Sequence, residues 1–237
     1  MVSVVSKLAH WLYAFFTDCL CRTVFFLTFP LSFFPLESKK HRKNPILLVH
    51  GYMHQSSVWA YHLYHLRKKG EGPIYTINLG APFSSLEEFS RKVAEKITCI
   101  AEEYPDLPIT LIGHSMGGLV CIHAALEKRF SIPVAKVITI GSPLAGTKWA
   151  KLAPGTCARQ MQIGSKFLQQ LRKNLEKPLD FLLFHIGTTN DQVIVPQTSC
   201  FLGKEPQKET TLKGIGHMGL LLSKKVHQIL LFYMQDL

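Results

Sequence analysis

Hydrophobic positions fall into three patterns along the 237 residues of this chain. Short unbroken runs of Ile, Val and Leu occur at 46–49, 74–79, 109–113, 134–140 and 182–187. Runs of this kind mark strands buried on both faces. Between them, Leu86, Phe89, Val93, Ile97, Ile100 and Tyr104 recur at steps of three and four, so one face of a helix is apolar. Another helix rich in Leu and Ile is predicted from His217 to the end. This alternation predicts an α/β fold with a mostly parallel central sheet and helices on both faces. The stretch 147–178 lacks strand character. It is expected to form loops plus a short helix, a small insertion where such folds place substrate contacts.

The third pattern is N-terminal. Residues 1–36 hold seven of the 15 phenylalanines, more apolar surface than a free arm tolerates. A single spanning helix fits poorly, because Asp18 and Arg22 interrupt the run and the uncharged part, 23–36, has 14 residues against roughly 20 required. Pro30 and Pro35 weaken it further. A span beginning at Leu8 would need Asp18 and Arg22, four apart, to neutralise each other. The segment 1–43 is therefore expected to be a hydrophobic, membrane-associating helical segment preceding a catalytic domain at 44–237. The basic cluster Lys39, Lys40, Arg42 and Lys43 follows the apolar run, the reverse of a cleaved signal peptide. It would place the domain on the cytoplasmic side, next to anionic lipid.

Composition refines this picture. With 47% hydrophobic and 18% charged residues the chain has material for a core, which excludes a disordered protein. A net charge of +11 favours anionic partners. No nucleic-acid-binding motif accompanies it, so a membrane surface is expected and nucleic acid is not. The six cysteines show neither zinc spacing nor the density of a disulfide scaffold, which points to a reducing compartment. Cys19 and Cys21 are read as small hydrophobes, with acylation as the alternative.

The chemistry concentrates at Gly113-His114-Ser115-Met116-Gly117, a Gly-x-Ser-x-Gly lying between a buried strand and a helix. Such a turn forces the serine into an unfavourable backbone region and stands its hydroxyl at the C-terminal edge of the sheet. A serine becomes a competent nucleophile only when a base removes its proton and a third group orients that base. Asp191 lies just past the last predicted strand, and His217 lies in a glycine-flanked loop. The order Ser, Asp, His suits an α/β-hydrolase. The oxyanion of a tetrahedral intermediate needs two backbone N–H donors. These are assigned to Met116 and to Tyr52, which follows Gly51 after the first strand.

Together, Val49-His50-Gly51, Gly113-His114-Ser115-Met116-Gly117-Gly118, Ile140-Gly141-Ser142-Pro143 and the Asp191 and His217 loops resemble a bacterial lipase/esterase-like member of the α/β-hydrolase superfamily, over roughly residues 44–235. The resemblance implies a serine-bound acyl-enzyme, carboxylic esters or lipids as substrates, and no metal or other cofactor. The sequence departs from many lipases at Leu144, where they carry histidine. The same three side chains would also serve an acyltransferase or a thioesterase, and a non-catalytic membrane-bound interaction module is the alternative from another class. Other polar residues are read as structural: Asp180 at the start of its strand, His50 and His114 as loop braces, His62 and His65 as a surface pair, Arg67 to Lys69 as a solvated helix end, and Cys121 as core.

Overall fold

In the computed structural model, residues 4–33, 37–38, 43–127, 134–203 and 208–235 are described. Phe34 and the basic residues Lys39, Lys40 and Arg42 lie outside them. Six strands form one all-parallel sheet: β1 (Ile46–Val49), β2 (Ile74–Ile77), β3 (Ile109–His114), β4 (Val134–Ile140), β5 (Leu182–Thr188) and β6 (Glu209–Leu212), in the spatial order β2-β1-β3-β4-β5-β6. The predicted runs each became a strand. β6 was not predicted, because an edge strand of sequence Glu-Thr-Thr-Leu is only half-buried and carries no hydrophobic run.

Alternation along each strand feeds two cores. Leu47 and Val49 join a cluster with α3 (Leu86–Glu103) and α4 (Met116–Leu126), while Ile46 and Leu48 face α2 (Ala60–Lys68) and α7 (Lys224–Gln235). The three-and-four spacing read at α3 buries Leu86, Phe89, Val93, Ile97 and Ile100. Its first turn is closed by Ser85, whose Oγ accepts from the Glu88 amide at 3.1 Å, with Glu87 and Glu88 at the positive end of the helix dipole. Lys136, buried on β4, donates from Nζ to the Tyr233 and Met234 carbonyls at 3.0 and 2.8 Å. It thereby satisfies the carbonyl end of α7.

The insertion 147–178 holds more structure than expected: a 3-10 turn (Lys148–Lys151), α5 (Thr156–Gln160) and α6 (Lys166–Asn174). Only Phe167, Leu168 and Leu171 of α6 are buried, a stripe too short to stand out among its polar neighbours.

Helix α1 (Val4–Leu27) packs on the 3-10 turn Gly219–Leu222 that precedes α7, and its Cys21 and Phe25 join the core shared with α2 and α7. Ala14, Asp18, Cys21 and Phe25, at helical spacing, are its buried positions, whereas Phe16, Leu20, Phe26 and Leu27 are exposed. Among the described residues no helix is long and apolar enough to cross a membrane. The pairing of Asp18 with Arg22 that a span from Leu8 would need gives way to another arrangement: Arg22 is exposed and Asp18 points inward, to backbone amides. His62, expected at the surface, is fully buried, its Nε2 donating to the Leu220 carbonyl at 3.3 Å. Its ring packs toward His227, which the sequence separates from it by more than half the chain.

Candidate active site

The candidate residues converge because each follows the C-terminal end of a parallel strand: Gly51 and Tyr52 after β1, Ser115 after β3, Asp191 after β5 and His217 after β6. In a parallel sheet these ends share one edge. At the β3–α4 junction Ser115 has φ 55° and ψ −124°, a region that L-residues occupy only under constraint. The constraint is local packing. A Cβ on Gly113 would lie 2.5 Å from backbone atoms of Gly117 and Gly118, and one on Gly117 would run into the carbonyl oxygens of Val49 and His50. Small residues at 113 and 117 thus let α4 close onto β1 and β3, and closure holds the serine strained. Its amide donates to the Ile140 carbonyl at 2.8 Å, and Ser115 keeps 8% of its surface exposed.

His217 lies over Gly141: a Cβ on that glycine would stand 3.3 Å from His217 Nδ1. Gly141 is one residue beyond the carbonyl that binds the Ser115 amide. His217 Nδ1 donates to Asp191 Oδ2 at 2.8 Å, with both side chains buried. The other carboxylate oxygen, Oδ1, accepts from the amides of Val193 at 2.8 Å and Ile194 at 2.7 Å. Those two bonds fix the carboxylate, and it in turn fixes the imidazole with Nε2 as the free nitrogen. Among the described residues neither Ser115 Oγ nor His217 Nε2 has a hydrogen-bond partner. They share one end of the sheet without a closed bond between them.

Further bonds lock the acid and base loops together. Thr188 Oγ1 donates to the Ile215 carbonyl at 2.7 Å, and Asn190 Oδ1 accepts from the Gly214 amide at 2.8 Å. Gln197 Nε2 donates to the Asp191 carbonyl at 2.7 Å. Asp180 is exposed at the opposite end of β5 from Asp191.

The turn after β1 presses on the serine: a Cβ on Gly51 would stand 3.0 Å from Ser115 Cβ. The amides of Tyr52 and Met116 donate to no protein acceptor among the described residues. Both are therefore available to an oxyanion formed beside Ser115. His50 donates from Nδ1 to the Gly51 carbonyl at 2.8 Å and accepts at Nε2 from the Leu79 amide at 3.0 Å. Burial pushes its pKa down to about 4, so it braces this turn as a neutral ring. His114 Nε2 donates to the His217 carbonyl at 3.2 Å, and burial, then the nearby His217, hold His114 well below the ordinary histidine value.

Sequence reasoning missed Asp18. Its carboxylate is 2% exposed, and Oδ1 accepts from the amides of Met218 at 3.0 Å and Gly219 at 2.9 Å. Burial raises its pKa, opposed by those two amides. A contact spanning 200 positions leaves no local signal.

An α/β sandwich with a strained serine at this edge, an acid–imidazole pair and two free amides defines a hydrolase-type architecture. A sequence profile described as the alpha/beta hydrolase fold matches residues 44–179, and the chain belongs to that family. The match ends before Asp191 and His217, which rest on the structure described above. Monoglyceride lipase of Mus musculus is 44% identical over 45 residues, 19% of this chain and 15% of that protein. Lipase A of Sodiomyces alcalophilus is 39% identical over 62 residues, 25% of this chain and 15% of that one. The matches thus span a small part of these relatives' length. The mature lipase of Bacillus licheniformis superposes with a TM-score of 0.67 at 18% identity, covering 85% of this chain and 96% of that one. A metagenome-derived lipolytic enzyme gives a TM-score of 0.63 at 16% identity, covering 86% and 97%. At these identities the structures share the fold.

Proposed function

We propose that this chain is a serine carboxylic-ester hydrolase acting on apolar esters at a membrane surface. The observation that carries the reading is the strained Ser115 beside the buried Asp191–His217 pair. Ser115 Oγ attacks the ester carbonyl while His217 Nε2 takes its proton. The negative oxygen of the tetrahedral intermediate receives the Tyr52 and Met116 amides. His217 then returns the proton to the departing alcohol, leaving an acyl group on Ser115. Water, deprotonated by His217, attacks that acyl group, and Ser115 leaves with the proton as the carboxylic acid is released.

Apolar substrates are favoured by the rim. Met53, Phe83, Trp149 and Leu152 are exposed, and they come from segments tied to the Tyr52 turn: Tyr52 Oη donates to the Pro154 carbonyl at 2.7 Å and the Thr156 amide to the Phe83 carbonyl at 3.0 Å. The membrane reading is supported by α1, whose outer face presents Tyr13, Phe16, Leu20 and Phe26. Lys213, Lys224 and Lys225 line an adjoining cleft of about 430 Å³ between α1 and the start of α7. Apolar groups flanked by lysines suit the boundary of anionic lipid.

Ser115→Ala should abolish hydrolysis of p-nitrophenyl esters in a folded protein, and a fluorophosphonate should add its mass to Ser115 alone. Full activity of Ser115→Ala would refute the mechanism. An ester panel from C2 to C16 should show preference for the longer acyl chains. Phe16→Ser combined with Leu20→Ser should weaken co-sedimentation with phosphatidylserine-containing vesicles; undiminished binding would remove α1 from the membrane contact.

A further inference from the structure

Helix α1 lies outside the region matched to the hydrolase family, yet its Asp18 penetrates to the residues that immediately follow the proposed base. A carboxylate is costly to bury unless its oxygens are satisfied, so this placement needs a compensating role. On one side Asp18 Oδ1 takes the Met218 and Gly219 amides, which open the 3-10 turn Gly219–Leu222. On the other, the Gln192 side chain, turned so that its amide meets complementary partners, donates to Asp18 Oδ2 at 3.2 Å. Gln192 adjoins Asp191, and Met218 adjoins His217. One side chain from α1 thus bridges the loop that carries the acid and the loop that carries the base. The fit is close: a Cβ on Gly216 would stand 2.5 Å from Asp18 Cγ, so the chain can pass over this carboxylate only as glycine.

We infer that Asp18 is a positioning residue for the reaction: it sets the backbone of the His217 loop relative to the Asp191 loop, and makes α1 a working part of the site. The inference rests on the reading of His217 as the base and deepens it. Without Asp18, two amides beside the imidazole lose their buried acceptor. The loop must then move toward water or another oxygen, carrying Nε2 off the line to Ser115. A displacement of about 1 Å at a reacting group can cost on the order of 10²-fold in rate. The change acts on the position of the base and leaves the side chains of the apolar rim unaltered, so kcat should fall while KM stays near its original value.

The experiment compares full-length Asp18→Ala, Asp18→Asn and Phe25→Ala with the parent protein on a soluble p-nitrophenyl ester, with thermal unfolding measured alongside. Asp18→Ala should lose about 10²-fold in kcat. Asp18→Asn should recover most of that loss, because its Oδ1 can accept both amides while the Gln192 amide turns over to meet its nitrogen. Phe25→Ala, which loosens α1 where its ring meets His54 and leaves the Asp18 bonds to Met218 and Gly219 in place, should lower the melting temperature and cost far less kcat than Asp18→Ala. If Asp18→Ala does not fold, Asp18→Ser carries the comparison, being polar but too short to reach both amides. Unchanged kcat in Asp18→Ala or Asp18→Ser, or a kcat loss in Phe25→Ala matching theirs, would overturn the inference. Activity surviving in Ser115→Ala and His217→Ala would instead refute the underlying mechanism, which separates the two failures.

Discussion

Replacing Asp191 by Asn separates the orienting role of this carboxylate from its structural one. Its two oxygens do different things: Oδ1 holds the Val193 and Ile194 amides, and Oδ2 receives the His217 Nδ1 proton. An asparagine oxygen must stay on the two amides, since turning it away would leave both buried donors unpaired at about 1–3 kcal/mol each. The NH₂ group then faces His217 Nδ1, where only an acceptor is compatible. The imidazole is driven to the tautomer with its proton on Nε2, the atom that must take the proton of Ser115. Loss of the correct tautomer in serine hydrolysis costs on the order of 10⁴-fold in kcat, or about 5.5 kcal/mol of transition-state stabilisation. Stability should change little, because the amides keep their acceptor. Asp191→Ala should show the rate loss together with a lower melting temperature. Initial rates on a soluble ester, read beside thermal unfolding, make the comparison. Asp191→Asn retaining kcat within about tenfold would refute the proposed role of the Asp191–His217 pair.

Two further predictions concern stability. Gly117→Ala places a methyl group against backbone carbonyls of Val49 and His50 that cannot step aside; it should cost about 1–3 kcal/mol by chemical denaturation and lower kcat by displacing the oxyanion turn. Burial holds His50 down to about 4 and His62 and His185 to about 3. Below the ordinary value of 6.5 the unfolded chain takes up protons that the folded one refuses, so stability should fall as pH drops from 6.5 toward 4. The three together give about 4 kcal/mol per pH unit at full effect, and a urea midpoint constant from pH 7 to pH 5 would contradict this.

The five predicted strands and α3 were legible because burial on both faces, or on one helical stripe, writes itself into local spacing. Ser115 was legible for a related reason: the strained turn demands glycines at fixed neighbouring positions. Elements whose stabilisation is not local left weaker traces. The edge strand β6 and the short helix α6 bury too few side chains to impose a period. His62 looked like a surface residue because nothing near it in sequence reveals that α7 covers it. Leu144, the departure from many lipases, is buried in the core that the insertion's Ala150, Cys157 and Met161 also join, a surrounding that the sequence around it does not reveal.

By itself the sequence determined the repeating βα units, the nucleophile turn and the order of the candidate acid and base, since each depends on residues within one turn or strand of one another. Tertiary structure alone decided that Asp191 meets His217 at 2.8 Å, that the Tyr52 turn abuts Ser115, and that α1 sends Asp18 beneath the histidine loop. Those are contacts between chain segments brought together by sheet register and helix packing. Their energy comes from burial and from satisfying amides far apart in sequence, which no local pattern of residues records.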